Sequence, residues 1–247
     1  KNSEAQIVEE IIAKKNEDTI YINSFTSVFQ EESSRLTYVT KENFSDSVLH
    51  FRNLHTTGKK DSTLKNFYFN MGGYKGKTII ESNLVEKGSN VETYGATLLA
   101  NREFLDTDIQ IIHGAGNTES KLLMKVVAKD KSHNVFTGNL NIPKSSEKVI
   151  ATQLSKNLIL NKTARAEAIP KLEVFAHDVR CSHGASVGEI REEEMFYLLS
   201  RGLTEEEARF LVVEGFLCEI LDKLPDSERG SIQTYINEKL FQNGKIY

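Results

Sequence analysis

The sequence predicts a mainly β protein with a helical tail, its strands wound as a solenoid in preference to a sandwich or a barrel. From about Thr19 to Val179, short runs of β-branched and aromatic residues follow one another with no convincing helix between them. Their turn signals recur at roughly 8 to 12 residues, a spacing that two strands per coil produces as readily as a sandwich does. The hairpin dipeptide Asn-Gly occurs only at Asn243-Gly244, far outside this stretch, which favours coil-to-coil connections over tight hairpins.

Taken in order, residues 1–18 read as an N-terminal helical segment. Ile7, Val8, Ile11 and Ile12 stand at i, i+1, i+4 and i+5, although a strand fits the same spacing. Residues 19–188 form the β core, with strands such as Asn66 to Phe69, Ile109 to Ile112 and Lys171 to Phe175. Residues 189–247 form a C-terminal helical subdomain. There Met195, Phe196, Leu198 and Leu199 line one side of a helix that Gly202 terminates. Thr204 and Glu207 then make a capping box for a helix running to about Leu224 and stopping at Pro225, and a third helix runs from about Ser227 to Leu240. The runs Glu192 to Glu194 and Glu205 to Glu207 fall in first helical turns, where carboxylates complement the helix dipole.

Composition narrows the function classes. The 247 residues carry 35 acidic and 31 basic side chains for a net charge of −4, with no basic run to follow a phosphate backbone, so nucleic acid is not the expected partner. No stretch approaches the roughly 18 to 20 apolar residues of a membrane span, and the first thirty residues lack the apolar core of a signal peptide. Cys181 and Cys218 are too few for a disulfide framework, and each reads as a thiol of a reducing compartment. Opening on Lys1 rather than Met, the chain is expected to lack upstream sequence.

Chemistry concentrates in Pro170 to Gly188. His177, Cys181 and His183 fall within seven positions at a strand end, and in an extended chain all three share parity, so thiolate and imidazole could reach one ion. Against this, Cys181 also suits a small buried hydrophobe, and two or three ligands leave a site short of the usual four. A hydrolytic triad from Asp178, His183 and Ser182 or Ser186 is disfavoured because ligands at i and i+2 on one strand do not align nucleophile and base, and no Gly-x-Ser-x-Gly elbow occurs. Met71 to Thr78 only superficially resembles a phosphate loop: Met71 stands where glycine is required, and Thr78 enters a strand. It reads as a glycine-rich turn. His113, before Gly114-Ala-Gly116, reads as a satisfied structural histidine.

The segment Pro170 to Gly188, then Met195 to Leu203 and Glu207 to Phe216, resembles the C-terminal signature of the SufB/SufD family, and Asp178-Val-Arg-Cys-Ser-His-Gly-Ala185 is similar to the SufD form of its motif. Less specifically, Asp106 to His113, Ser120, Phe136 to Gly138, Gln153 and Asn157 to Leu160 resemble the family's core; the likeness spans roughly residues 20 to 222. It implies a right-handed parallel β-helix flanked by helices and a non-enzymatic scaffold of iron–sulfur cluster assembly, cytoplasmic in bacteria or in a plastid-type organelle. It also implies pairing with a SufB-like subunit, or a second copy, through the β-helix, and docking of a SufC-type ATPase through helices carrying Phe196, Tyr197, Arg201, Gly202 and Phe216. A transient iron–sulfur cluster in the assembled complex would be met by His183, with Cys181 as its neighbour, and no stably bound cofactor is expected of the chain alone. The family's helical domain ahead of the β-helix is almost missing here. The alternative is a stand-alone β-helical metal-binding protein or hydrolase that uses His177, Cys181 and His183 by itself.

Overall fold

The computed structural model describes residues 1–14 and 17–240; the Asn243-Gly244 dipeptide lies outside them. Among the described residues the strands run, in chain order, β1 (Glu4–Ala13), β2 (Ile20–Gln30), β3 (Arg35–Phe44), β4 (Val48–Gly58), β5 (Thr63–Asn70), β6 (Lys75–Leu84), β7 (Asn90–Leu99), β8 (Phe104–His113), β9 (Glu119–Ala128), β10 (His133–Ile142), β11 (Val149–Ile159), β12 (Arg165–Val174) and β13 (Val179–Glu189). Three helices follow: α1 (Glu192–Ser200), α2 (Glu205–Leu221) and α3 (Asp226–Leu240).

Odd-numbered strands form one sheet in the order β1-β3-β5-β7-β9-β11-β13, and even-numbered strands a second in the order β12-β10-β8-β6-β4-β2. Every pairing is parallel, as in β9 to β11, where Leu122 faces Gln153. Each coil therefore gives one strand to each sheet, which makes a β-helix of about six coils.

The coil repeat is written in its corners. Ser33, Asp61, Gly88, Asn117 and Lys148 have φ of 56°, 55°, 77°, 53° and 59°, and they recur every 27 to 31 residues at the turns from the even to the odd sheet. Asn, Asp and Gly tolerate this left-handed region better than other residues. In the first four turns the next residue is a hydroxyl that closes the corner on itself: Ser34 to the Glu31 carbonyl at 2.7 Å, Ser62 to Lys59 at 2.7 Å, Ser89 to Glu86 at 2.7 Å and Thr118 to Ala115 at 2.9 Å. Backbone bonds then tie each corner to the next coil, as Ser33 N–H to the Lys60 carbonyl at 2.9 Å and Asp61 N–H to Lys87 at 3.1 Å. Met71 to Tyr74 is likewise a corner, between β5 and β6.

Two apolar clusters result from the alternation of side chains in the strands. The interior is filled by residues such as Tyr38, Leu54, Tyr68, Ile80, Ile109, Leu122 and Phe136. The outer face of the odd sheet carries Val39, Phe67, Phe69, Tyr94 and Leu98, and α2 and α3 cover it with Val213, Leu217, Ile220, Ile232 and Ile236. Burying one such side chain contributes about 2 kcal/mol, so this second cluster fastens the helical subdomain. Polar clamps supplement it. The half-exposed Glu10 of β1 and Glu228 of α3 each lie 3.1 Å from the nearly buried Lys41 ammonium.

The segment read as an N-terminal helix is strand β1, paired with β3 along its whole length. The spacing of four between Ile7 and Ile11, and between Val8 and Ile12, belongs equally to period 3.6 and to period 2. Pairing with β3 decides between them: Ile7 and Ile11 face Tyr38 and Glu42 in register, while Val8 and Ile12 take the other face. The strands, at 8 to 11 residues, also extend beyond the short apolar runs, because polar residues of the solvent-facing rows continue the pairing.

Candidate functional site

The last coil ends in two free edges. Among the described residues β13 pairs only with β11 and β12 only with β10. Pro170 in β12 has no N–H to give a ladder, a residue tolerated at an edge. Register identifies the inward row of β13: Cys181 faces Ala151, His183 faces Gln153 and Ala185 faces Ser155, and all three β11 residues are buried. In the inner strands such rows are sealed by the coil above. Here they stand open, with Cys181 half-buried and His183 exposed.

Cys181 packs against the interior cluster beside Val174 and Val179. Burial pushes its thiol up, and a backbone hydrogen bond with Ala151 offsets only part of that. It is therefore a protonated thiol at neutral pH until a metal or another cation displaces the proton. His183 lies roughly 7 Å farther along the same row, two residues on. His177 sits in the turn before β13, exposed, and outside the strand whose parity was expected to align it with the other two. Among the described residues no group of three or more His, Cys, Asp and Glu side chains is arranged to hold a metal ion. The one-chain cluster of His177, Cys181 and His183 is thus not formed. What the edge offers is one thiol and one imidazole, short of the four ligands that a closed metal site takes.

The helical site residues divide into two groups. Helix α1 buries none of its side chains, and Phe196 and Tyr197 are 75% and 55% exposed. Arg201 donates to the Tyr197 hydroxyl at 3.1 Å and lies 5.2 Å from its ring centroid, a stacked pair at the C-terminus of α1. Gly202, at φ +92°, closes that helix with its N–H on the Leu199 carbonyl at 3.0 Å. Phe216 is different: it is half-buried against the outer face of the odd sheet, and the Lys125 ammonium donates to its carbonyl at 2.6 Å and lies 5.2 Å from its ring. Phe216 therefore anchors α2 to the solenoid. A cleft of about 650 Å³ opens between α1, α2 and the last coil, lined by Leu160, Ile190, Met195, Phe196, Leu199 and Arg209.

The capping box of α2 is present in both directions, with Glu207 N–H on the Thr204 hydroxyl at 3.2 Å and Thr204 N–H on the Glu207 carboxylate at 2.7 Å. His113 is fully buried, with Thr118 at 2.8 Å and Ser120 at 2.9 Å on its two ring nitrogens, and burial pulls its pKa down to about 4.

Sequence reading did not show the charged cluster inside the first coils. The Arg52 guanidinium, wholly buried, reaches Glu9 at 2.6 Å and Thr40 at 3.2 Å and lies 3.6 Å from Glu42, which also accepts from Tyr68 at 3.1 Å and Asn70 at 2.9 Å. Its members come from four strands, β1, β3, β4 and β5, so no local spacing links them.

A family model described as SUF system FeS cluster assembly, SufBD core domain, matches residues 1–216. An iron–sulfur cluster assembly SufBD family protein of Synechocystis is 30% identical over 83% of this chain and 46% of its own length. The iron–sulfur cluster assembly protein SufD of Escherichia coli is 30% identical over 72% of this chain and 42% of its own length, and that of Plasmodium falciparum is 28% identical over 100% of this chain and 17% of its own. The chain spans less than half the length of each of these relatives. No helix among the described residues is long and apolar enough to cross a membrane.

Proposed function

This chain belongs to the SufBD core family of the SUF iron–sulfur cluster assembly system, and we propose that it acts there as a non-catalytic scaffold subunit. The observation that carries this reading is the open end of the solenoid. An edge strand paired on one side only, bearing His183 and Cys181 in one inward row, offers too few ligands for a metal site in one chain, and in this reading a second edge closing over it supplies the rest. In this reading the β12 and β13 edges pair with a SufB-like subunit, or with a second copy, and the nascent cluster is held transiently at that junction with His183 as a ligand. Cargo held by few ligands from each side is released when the partners separate, which suits an assembly scaffold better than a resident cofactor site.

The same reading assigns α1 and its C-terminal turn to docking a SufC-type ATPase. Phe196, Tyr197 and Arg201 are the exposed aromatic and guanidinium groups that dominate protein interfaces. Phe216 contributes by holding α2 in place beneath them. The setting is the cytoplasm of a bacterium or a plastid-type organelle.

The test is reconstitution of the protein with purified partner subunit and ATPase, followed by the visible absorbance of the assembled cluster. His183→Ala is expected to leave folding and ATPase capture intact and to lower cluster yield; an unchanged yield sinks the role of His183. Truncation after Gly188 is expected to abolish ATPase capture, and retained capture removes the docking surface from the helices.

A further inference from the structure

We infer that Gln153 is a positioning residue for His183: its side-chain carbonyl accepts a hydrogen bond from the imidazole and leaves the other ring nitrogen facing the open edge. This rests on the scaffold reading above for its purpose, though not for its geometry.

Gln153 is 2% exposed, on the inward row of β11. Its amide nitrogen donates across the interior to the Gly138 carbonyl of β10 at 3.1 Å. A carbonyl can only accept, so this bond fixes which end of the amide is nitrogen. A Cβ at Gly138 would overlap the Gln153 amide, so the glycine provides the space in which the amide crosses. The amide oxygen is then left buried and without a hydrogen-bond partner. Leaving such an acceptor unsatisfied costs about 1 to 3 kcal/mol, so a donor is called for.

The row supplies one candidate. The in-register neighbours of Gln153 are Leu122 on β9 and His183 on β13. Leu122 has no donor. The Ser155 hydroxyl is also buried without a partner, but it stands two residues along β11, roughly 7 Å farther on a short side chain, and makes no hydrogen bond with the amide. His183 is exposed on the edge strand, so its ring is free to turn about χ1 and χ2, and adjacent parallel strands lie roughly 4.8 Å apart, within reach of an in-register pair. One ring N–H on the Gln153 oxygen selects a single tautomer and presents the remaining lone pair outward. Ligating histidines are oriented in this way by a partner on their second nitrogen.

The experiment reads the tautomer directly, by long-range proton–nitrogen correlation spectra of the neutral imidazoles in the labelled protein, with His183→Asn to assign the signal. Wild type is expected to show one fixed tautomer for His183, and Gln153→Leu to lose it to an exchanging mixture at unchanged far-ultraviolet circular dichroism. Gly138→Ala, which evicts the amide while keeping the glutamine, is expected to do the same should Gln153→Leu fold poorly. An exchanging mixture in wild type, or a fixed tautomer that survives both substitutions, overturns the inference. In the reconstituted complex Gln153→Leu is expected to slow cluster formation on the order of tenfold. A fixed wild-type tautomer that Gln153→Leu abolishes, together with cluster formation insensitive to His183→Ala, supports the Gln153 bond and overturns the ligand role instead, so the two readings fail separately.

Discussion

The Arg52 guanidinium, with no exposed surface, is bound at 2.6 Å by the Glu9 carboxylate, which reaches into the solenoid from its first strand. The Tyr38 hydroxyl donates to the same carboxylate at 2.5 Å. Burial acts to raise Glu9, but the Arg52 and Tyr38 hydrogen bonds and the Arg52 charge outweigh it and hold the group below the ordinary carboxylate value.

Removing the carboxylate therefore leaves a buried cation with one counter-charge fewer. Glu9→Ala is expected to destabilise the first coil by about 3 kcal/mol and to strip hydrogen-exchange protection from β1 while β7 to β11 keep theirs. Since the folded-state value is depressed, the ion pair's contribution is present above the ordinary Glu range and is lost as pH falls through the lowered one. Uniform loss of protection along the solenoid would show that the pair does not act locally.

His113 makes stability pH-dependent in the same direction for the opposite reason. Burial holds it at about 4 against an ordinary 6.5, so the folded chain resists the protonation that the unfolded chain accepts. Stability from this residue is complete above about pH 6.5 and falls as pH drops toward 4, by about 3 kcal/mol in total. Urea unfolding at pH 7 and pH 5 should show this decline, and His113→Phe should reduce it. An unaltered acid limb in that variant would place the dependence elsewhere. His50, also lowered chiefly by burial, leaves a residual slope.

Thr204→Ala removes one side of the α2 capping box and is expected to cost about 1 kcal/mol by chemical denaturation. The cap is exposed, so no cavity adds to this. A cost near zero would mean that water replaces the hydroxyl at no loss.

Phe196→Ser separates surface from structure. The side chain is 75% exposed, so stability should shift by less than about 0.5 kcal/mol, while ATPase capture in a pull-down should weaken. Phe216→Ala, by contrast, is expected to lower stability by about 2 to 3 kcal/mol because the ring packs on the odd sheet beneath α2. Equal loss of capture without loss of stability for both would return Phe216 to the docking surface.

Much of this architecture is legible in single residues. Alternating β-branched runs mark the strands, and Thr204 with Glu207 and the glycine at 202 mark helix ends, because local backbone hydrogen bonds decide these features within four residues. The corners were legible in principle: the Ser and Thr that follow the left-handed residue recur as Ser34, Ser62, Ser89 and Thr118. That period is long and its surroundings vary, so it shows clearly only once the coils are stacked.

By itself, then, the sequence determined the secondary-structure class, the helical tail with its caps, and the motif carrying Cys181 and His183, all properties of contiguous residues. The tertiary structure decided that Ile7 to Ile12 form a strand, that His177 stands apart from Cys181 and His183, that Phe216 packs inward, and that Gln153 lies beneath His183. Each of these depends on which residue of one coil meets which residue of the next, some 30 positions away, and parallel register is fixed only when the strands pair.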